Sequence, residues 1–449
     1  MVNIKTKRFL YGVLKNTVCL KNGCHAVIGA RRVGKTVLFL QLNEDFGSEA
    51  DYFDCTALLG RGRDDFDFEK YYQNAVESGK RIIFLDETCK LGIDYLADFI
   101  QYTRLYSANL CILITGSVAA VVKKQVYEIG RGTYFSLPPF MYIERLCWSQ
   151  GVSEIDPDCI REGTSDALFK DYLKNQIMSE REFLGYMRGV AEDTLGSYRE
   201  HTFLEDSLDM PDDVLINALK YVSLCQFVYK KDSGAYIDLP SIEKKLRDKV
   251  FEDYSAAKSK WGLSSADIDN AVNLLLGCAL ARRSGYYKGH SISFEEPLLS
   301  ERRVPSIIFE YPWFTSIFLS PDIQNSSAML NQWVKYSILL RASYIYQYVY
   351  KYRSNDSIEL DVVYMTEDFN AIEVKNRPYK NNPESYILSA RRHALDAGIS
   401  EFLITSSDSS DRNDKLAACM ELEYIDILNS GLAYSRNTAS ELEVKFGMT

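Results

Sequence analysis

The stretch from residue 29 to residue 37 carries the residue types and spacing of a phosphate-binding loop. It fits the pattern GxxxxGK[ST], follows an apolar strand segment at residues 26–28 and leads into an apolar helical segment. In such a loop backbone N–H groups surround phosphate oxygens, the lysine reaches the β- and γ-phosphates, and the threonine hydroxyl ligates Mg²⁺. We therefore expect ATP and Mg²⁺ as cofactors, contacted by Gly29, Ala30, Arg31, Arg32, Val33, Gly34, Lys35, Thr36 and Val37.

A pair of acids after an apolar run would supply the second half of this chemistry. Residues 81–85 read as a strand, and Asp86 and Glu87 come directly after it. Asp86 is placed to hold Mg²⁺ through water, and Glu87 is placed to orient or deprotonate the attacking water. The alternative interpretation is a pair of solvated acids at a strand end.

Two further segments would complete the site. Thr115 or Ser117, at the tip of the strand predicted over residues 110–115, would stand between Glu87 and the γ-phosphate, unless the segment is only a turn. Arg131, between two glycines, is a candidate arginine finger that would neutralise charge in the transition state, or else an exposed turn residue. The catalytic candidates are Lys35, Glu87, Thr115, Ser117 and Arg131.

These motifs resemble one family, the prokaryotic AAA+-related P-loop ATPases with a winged-helix-like middle and a C-terminal PD-(D/E)XK nuclease-like domain. The resemblance rests on GxRRxGKT, on the LDE and TGS strand ends, and on a GR segment leading into Leu137, Pro138, Pro139, Phe140 and Glu144. The family has proline where this chain has Ala30. The resemblance implies an AAA+ placement of Thr115 or Ser117 as sensor and of Arg131 as finger. Residues 150–300 match the family only in outline.

A second candidate site lies near the C-terminus, where acids alternate with apolar residues along two predicted strands at residues 358–365 and 369–375. If the strands pair, Asp361, Glu373 and Lys375 converge on one face, because alternate residues of a strand point the same way. Two carboxylates beside a lysine can hold a divalent metal that activates water against a phosphodiester. The arrangement resembles the PD-(D/E)XK nuclease core; the alternative is surface ion pairs on a half-solvated hairpin.

One acid expected by the nuclease family is missing. The family pattern places a glutamate near residues 328–334, where this chain has Asn331, Gln332 and Trp333. Glutamine is a poorer ligand for a hard cation than carboxylate, which puts cleavage in doubt. Arg353 would contact a phosphate or pair with Asp356. Five alternating tyrosines predict a strand face that packs on a sheet or stacks on bases, namely Tyr344, Tyr346, Tyr348, Tyr350 and Tyr352.

The elements that must position these residues divide the chain into three predicted domains. Residues 1–150 alternate strands and helices, which indicates an α/β fold with the parallel P-loop sheet of AAA+-like proteins. Residues 151–304 read as helices followed by a hairpin over residues 279–287, the order of a winged-helix module. Residues 305–449 return to α/β in a restriction-endonuclease-like order. Helices are expected at residues 169–180, 214–228, 241–250, 264–276 and 383–397, and a last strand at residues 401–405.

Length, charge and cysteine usage bound the class of protein. A chain of 449 residues is longer than one hydrophobic core usually supports, which agrees with two or three domains. No apolar run reaches the roughly 20 residues of a membrane span, and ten cysteines without a CxxC pair favour reduced thiols, so a cytoplasmic protein with no membrane partner is expected. The net charge of -10 argues against broad nucleic-acid binding but leaves room for a local basic patch.

The leading functional hypothesis is ATP binding and hydrolysis coupled to movement of the nuclease-like domain. DNA or RNA is the candidate partner, and self-association is the candidate assembly. A rival hypothesis is an ATP-gated switch or scaffold with an inert docking domain. A third is a metal-dependent nuclease licensed by ATP.

Overall fold

A computed structural model describes the chain in segments that cover most of the three predicted regions. The described residues are 7–19, 21–58, 67–91, 110–128, 133–176, 180–193, 210–225, 228–231, 234–237, 248, 262–287, 292–293, 295–296, 304–305, 307–317, 319, 321–346, 348–352, 360–375, 383–405 and 412–429.

The N-terminal region is built on a five-stranded parallel sheet with the order β2-β3-β4-β1-β5. Its strands are β1 (Gly23–Ile28), β2 (Ala50–Asp54), β3 (Ile82–Asp86), β4 (Cys111–Thr115) and β5 (Thr133–Ser136). Every residue of β3 and β4 is buried, as expected when helices cover both faces of a parallel sheet. The α/β P-loop sheet predicted from the sequence is confirmed, with strand ends that differ by one to three residues.

One helix precedes the first strand of this sheet, and three others lie between successive strands as crossovers require. They are α1 (Leu10–Val13), α2 (Lys35–Phe46), α3 (Phe68–Glu77) and α4 (Ala119–Glu128). Helix α2 begins at Lys35, so the phosphate-binding loop runs directly from β1 into a helix N-terminus. The side chain of Asp67 accepts a hydrogen bond from the N–H of Lys70 and thereby caps α3.

The middle region is mainly helical. Its helices are α5 (Tyr142–Ser149), α6 (Asp158–Gly163), α7 (Asp166–Lys174), α8 (Glu180–Asp193), α9 (Asp212–Leu224) and α10 (Ser265–Gly277). The predicted helix over 169–180 ends at Lys174, and the one over 214–228 ends at Leu224 because Val228 begins a strand. The helix predicted over 241–250 falls outside the described residues, apart from residue 248.

The hairpin predicted over residues 279–287 is wrong. Both strands exist, as β8 (Ala281–Arg283) and β9 (Gly285–Tyr287), but each pairs elsewhere. Only Ser284 separates them, which is too short a link for the chain to reverse direction. The remaining short strands are β6 (Val228–Lys231), β7 (Gly234–Ile237), β10 (Ile292–Ser293), β11 (Glu295–Glu296), β12 (Val304–Pro305) and β13 (Ile307–Phe309), of which β13 pairs with β8.

A six-stranded mixed sheet with the order β10-β9-β14-β15-β16-β17 organises the C-terminal region. Its last four strands are β14 (Tyr348–Tyr352), β15 (Val362–Met365), β16 (Phe369–Val374) and β17 (Glu401–Thr405). The predicted hairpin is confirmed, because β15 and β16 pair antiparallel, and β17 then joins β16 in parallel. The sheet takes β9 and β10 from before residue 305, so it crosses the predicted domain boundary there.

Four helices belong to this last region: α11 (Pro321–Gln324), α12 (Ser327–Ile345), α13 (Pro383–Asp396) and α14 (Asn413–Asn429). The long helix α12 corrects the tyrosine prediction. Tyr344 lies in α12 and Tyr346 caps its end, so only Tyr348, Tyr350 and Tyr352 belong to a strand.

One hydrophobic core joins the N-terminal, middle and C-terminal regions. It runs from Phe9 through Phe314 to Leu428, and the rings of Phe9 and Tyr424 lie 5.8 Å apart between centroids. Within the described part of the chain, every helix is too short or too polar to cross a lipid bilayer.

Candidate nucleotide-binding site

The loop between β1 and α2 has the backbone of an anion-binding nest. Arg32 and Gly34 both adopt left-handed conformations, with φ of 68° and 97°, as residues do in the nests whose successive N–H groups bind anions. Gly29 is required for a different reason. A Cβ atom at this position would lie 2.4 Å from the carbonyl oxygen of Leu137, a distance that no side chain tolerates.

Lys35 lies at the base of this nest. The residue is 6% exposed, and its ammonium group donates hydrogen bonds to the carbonyl oxygens of Gly29 and Ala30, both at 2.9 Å. These carbonyls hold the positive charge over the loop, where a bound phosphate would meet it.

The two candidate magnesium ligands meet across the sheet edge. The Thr36 hydroxyl hydrogen-bonds the Asp86 carboxylate, which also accepts a hydrogen bond of 2.8 Å from Tyr52 Oη. Burial raises the pKa of Asp86, and the hydrogen bonds from Thr36 and Tyr52 oppose that rise. A hydroxyl and a carboxylate are hard oxygen donors, so this pair fits Mg²⁺ held beside a nucleotide.

Glu87 is positioned by the tip of the neighbouring strand. Ser117 Oγ lies 2.8 Å from both carboxylate oxygens of Glu87, and the Ser117 N–H donates to Oε2 at 3.1 Å. Cys89 Sγ adds a donor at 3.4 Å. Glu87 itself has φ of 53°, a left-handed conformation that turns its side chain toward β4.

Only one of the two candidate sensor residues reaches Glu87. Thr115 Oγ1 instead donates a hydrogen bond of 2.6 Å to the carbonyl oxygen of Val27, which ties β4 to β1. The order of the sheet places β4 between β1 and β3, so Ser117 stands between the loop and the acids. Arg131, the candidate finger, falls outside the described residues.

Arg8 is a residue of this site that carries no signal in the sequence. Its guanidinium donates to Val33 O in the loop, to Pro138 O at 2.9 Å and to Glu144 Oε1 at 2.7 Å. Glu144 in turn accepts the N–H groups of Phe9 and Met141, at 2.9 and 2.7 Å. A buried ion pair therefore connects the phosphate-binding loop to the first turn of α5.

The middle region reaches the loop from the other side. The hydroxyl of Tyr186 on α8 is buried and accepts a hydrogen bond of 2.8 Å from the N–H of Arg31. Cys278, directly after α10, is buried close enough to Lys35 for the lysine charge to act on it. Burial still dominates there and raises the pKa of the Cys278 thiol to about 12. Helices α8 and α10 thus border the candidate nucleotide site.

Helix α5 is also held from the C-terminal region. Glu421 on α14 accepts the N–H groups of Tyr142 and Ile143, at 3.0 and 2.6 Å, and forms an ion pair of 2.5 Å with Arg341 on α12. All three partners of this carboxylate are buried. Burial raises the pKa of Glu421, and the charge of Arg341 and the two N–H groups oppose that rise.

The second candidate site is assembled, but it includes a residue that the sequence did not indicate. Asp361, Glu373 and Lys375 come together at the β15–β16 pair, where Lys375 forms an ion pair with Glu373. Lys335 on α12 lies with its ammonium 2.6 Å from Asp361 Oδ1. Burial and the charge of Asp361 raise the pKa of Glu373 to about 7.

These residues do not fit a divalent metal. Asp361 Oδ2 accepts the N–H of Val374 at 2.6 Å, so both of its oxygens have donors. The acid that the nuclease-like pattern predicts on α12 is absent, because Gln332 stands there. Among the described residues, no group of three or more histidine, cysteine, aspartate or glutamate side chains could hold an ion. Arg353 falls outside the described residues.

Comparison with known proteins places the N-terminal region. Residues 21–146 match the model of a family described as an AAA domain, and AAA domains are generally ATPases. This match covers the loop between β1 and α2, the acids after β3 and the tip of β4. A comparison with curated proteins finds no match to this chain.

Similarity to solved structures extends further along the chain but is weak. The replication initiator DnaA bound to AMPPCP and single-stranded DNA aligns with a TM-score of 0.28 and 14% identity, over 58% of this chain and 81% of that one. Drosophila ORC bound to DNA aligns with a TM-score of 0.23 and 13% identity, over 61% and 85%. A DNA replication initiation factor aligns with a TM-score of 0.24 and 12% identity, over 58% and 80%. Scores this low carry no argument about function.

Proposed function

We propose that this protein binds ATP with Mg²⁺ and hydrolyses it at the carboxyl edge of its parallel sheet. The observation that carries the proposal is the meeting of Lys35, Thr36, Asp86 and Glu87, which two separate segments bring together at neighbouring strand ends. Each of these residue types has a distinct task in phosphoryl transfer, and chance would not gather all four beside an anion-binding nest. The AAA domain match over residues 21–146 supports the same function.

The roles follow from the geometry of the site. The nest and Lys35 would hold the β- and γ-phosphates. Thr36 and Asp86 would hold Mg²⁺, whose charge would offset the negative charge of these two phosphates. Glu87 would orient or deprotonate the attacking water, with Ser117 positioning its carboxylate through two hydrogen bonds. Arg131 remains the candidate finger for stabilising the transition state, either within one chain or from a neighbouring copy.

We further propose that the C-terminal region responds to the nucleotide through helix α5. Arg8 links Val33 of the loop to Glu144, and Glu144 lies in the first turn of α5. The same turn donates two N–H groups to Glu421 of the C-terminal region. A shift of the loop on nucleotide binding would therefore move a buried, fully hydrogen-bonded joint rather than a free surface.

DNA or RNA is the partner class proposed for the moved region, and homo-oligomers are the proposed assembly. The net charge of -10 favours a small, local nucleic-acid footprint over a long one. The measurement that tests this part is ATP hydrolysis with and without single- and double-stranded nucleic acid. Unchanged turnover with every nucleic acid would contradict it.

Steady-state phosphate release from ATP tests the central proposal. Lys35→Ala removes the ammonium that contacts the phosphates, so release should fall about 100-fold or more, as on loss of a transition-state donor. Lys174→Ala, an exposed lysine on α7, is the matched control and should leave release unchanged. Equal release by the wild type and Lys35→Ala would show that ATP is not turned over here. Tight binding with almost no turnover in the wild type would favour the ATP-gated switch instead.

A further inference from the structure

A lysine on helix α12 forms an ion pair with one of the two acids of the C-terminal sheet. Lys335 projects from α12, the helix that precedes β14, and its ammonium lies 2.6 Å from Asp361 Oδ1. The two side chains are only 14% and 7% exposed, so water screens this pair poorly. Asp361 Oδ2 is held by the N–H of Val374, which leaves the carboxylate fixed at both oxygens.

The neighbouring acid also has an ammonium partner, at one of its two oxygens. Glu373 is 4% exposed at its side chain, and Lys375 of the same strand end forms its ion pair. Two buried carboxylates are thus matched by two ammonium groups, without any metal charge in the balance. Two such acids side by side would repel strongly unless cations neutralised them.

The residues that α12 presents toward these acids also differ from those of the nuclease pattern. Gln332 lies three residues before Lys335, one helical turn away on the same face of α12. The nuclease pattern would supply a carboxylate from this helix, whereas the chain supplies a neutral amide and a cation. A cation beside a metal site lowers the affinity for the metal, and an amide replaces a charged ligand.

We propose that Lys335 occupies the place of a divalent cation at the Asp361–Glu373 pair, so that the pair fastens helix α12 to strands β15 and β16. On this assignment the C-terminal region does not cleave phosphodiester bonds at these acids. The inference concerns residues remote from the ATP site and does not depend on ATP hydrolysis.

Binding of Mn²⁺ to the full-length chain, followed by electron paramagnetic resonance without nucleotide, tests this proposal. All variants carry Asp86→Asn, which removes the carboxylate expected to hold metal at the ATP site. The background chain should bind no Mn²⁺ that a further Asp361→Asn removes. Lys335→Glu should gain one Mn²⁺ site, at least about tenfold tighter than any residual Mn²⁺ binding by the background chain, and Asp361→Asn should abolish that gain. Lys174→Glu, with the same charge change at an exposed site, should gain none.

Two results would overturn the proposal. The first is Mn²⁺ binding by the background chain that depends on Asp361, because a real metal site would then exist. The second is a folded Lys335→Glu chain with no gain in Mn²⁺ affinity, because Lys335 would then not stand in the metal's place.

A second pair of variants serves if Lys335→Glu does not fold. Lys335→Met leaves the buried Asp361 charge without its ammonium, so the midpoint of urea unfolding should fall, and adding Asp361→Asn should restore part of the loss. A Lys335→Met chain as stable as the wild type would contradict the fastening role.

Discussion

Glu87 is the residue whose surroundings bear most directly on the proposed hydrolysis. Its left-handed backbone and its three donors fix the carboxylate toward the tip of β4. A general base must hold the attacking water in a fixed position, because a misplaced water lowers the reaction rate without weakening nucleotide binding. In the proposed mechanism Ser117 positions Glu87, whereas Thr115, two residues before it, donates a structural hydrogen bond to Val27.

Ser117→Ala should separate positioning from binding. Loss of a hydroxyl bonded to a carboxylate costs roughly 1.5–3 kcal/mol, so kcat should fall about tenfold or more while KM for ATP stays unchanged. Thr115→Val is the matched control, and it should cost about 1 kcal/mol of stability with little change in kcat. A rise in KM without a fall in kcat for Ser117→Ala would assign Ser117 to nucleotide binding instead.

His25 predicts an acid-sensitive step in stability. It lies on β1 just before the phosphate-binding loop, with Nδ1 2.6 Å from Thr133 Oγ1. Burial, and then the charge of Lys21, lower the pKa of His25 to about 4 from 6.5. Between pH 6.5 and 4 the ring of His25 takes up a proton in the unfolded chain but stays neutral in the folded chain. The free energy of unfolding is therefore highest above pH 6.5 and falls as the pH drops toward 4.

Denaturant unfolding at pH 7 and pH 5 measures this effect. The wild type should lose about 2 kcal/mol of unfolding free energy between these two values through His25 alone. His25→Gln removes the titrating group, so its loss over the same interval should be smaller by that amount. Equal losses in the two chains would place the acid sensitivity at other groups.

Single residues differ in how far the sequence reveals them. The loop, Asp86 and Glu87 could be predicted because each motif is a short continuous stretch. The loop lies between a strand and a helix, the two acids directly follow a strand, and these flanking segments are recognisable from the adjacent residues. Arg8 and Lys335 could not, because each is an ordinary basic residue whose partner is remote: 136 residues separate Arg8 from Glu144, and 26 separate Lys335 from Asp361. Nothing in the residue type marks such a pairing.

Helix α5 acts as a joint at the scale of secondary structure elements. Its first turn donates N–H groups to Glu144 from within and to Glu421 from α14. The positive end of a helix dipole favours these carboxylates, and the partner arginines neutralise them. Two elements that are far apart in the chain are thereby held on one helix end.

Glu421→Ala tests the strength of this joint. It leaves Arg341 buried without its carboxylate and two N–H groups without their acceptor, so unfolding free energy should fall by about 3–5 kcal/mol. Asp426→Ala, five residues further on α14 and exposed, is the matched control and should change it by less than about 0.5 kcal/mol. Similar losses in both chains would show that the joint contributes little.

Elements were predictable where their own residues determine them. The apolar runs of β3 and β4 gave their positions to within one residue, and the β15–β16 hairpin follows from alternation and a short turn. The strands β8 and β9 were assigned to the wrong partners because three-residue strands carry no register information of their own. Tyr344 alternates with its neighbours as strand residues do, yet the long buried face of α12 extends the helix through Ile345.

The three regions are less separate in space than in sequence. Tyr424 near the end of the described chain donates a hydrogen bond of 3.2 Å to the carbonyl oxygen of Ser136 on β5. The core is shared from Phe9 to Leu428, and the C-terminal sheet includes strands from the predicted middle domain. Length and composition predict a number of domains but not these contacts, because the contacts are set by packing between remote segments.

The distribution of thiols offers a practical route to watching this molecule work. Nine of the ten cysteines are buried, and burial raises their pKa where it shifts, to about 12 for Cys19 and Cys89, so the reactive thiolate is scarce. Cys419 lies on α14, two residues before Glu421, and it differs from the others in being exposed rather than in the direction of its pKa, because burial raises the pKa of its thiol as well. The unmodified chain thus carries one natural attachment point for a maleimide dye, on the helix where a nucleotide-driven shift of α5 would arrive. Its fluorescence would report that arrival without any engineered cysteine.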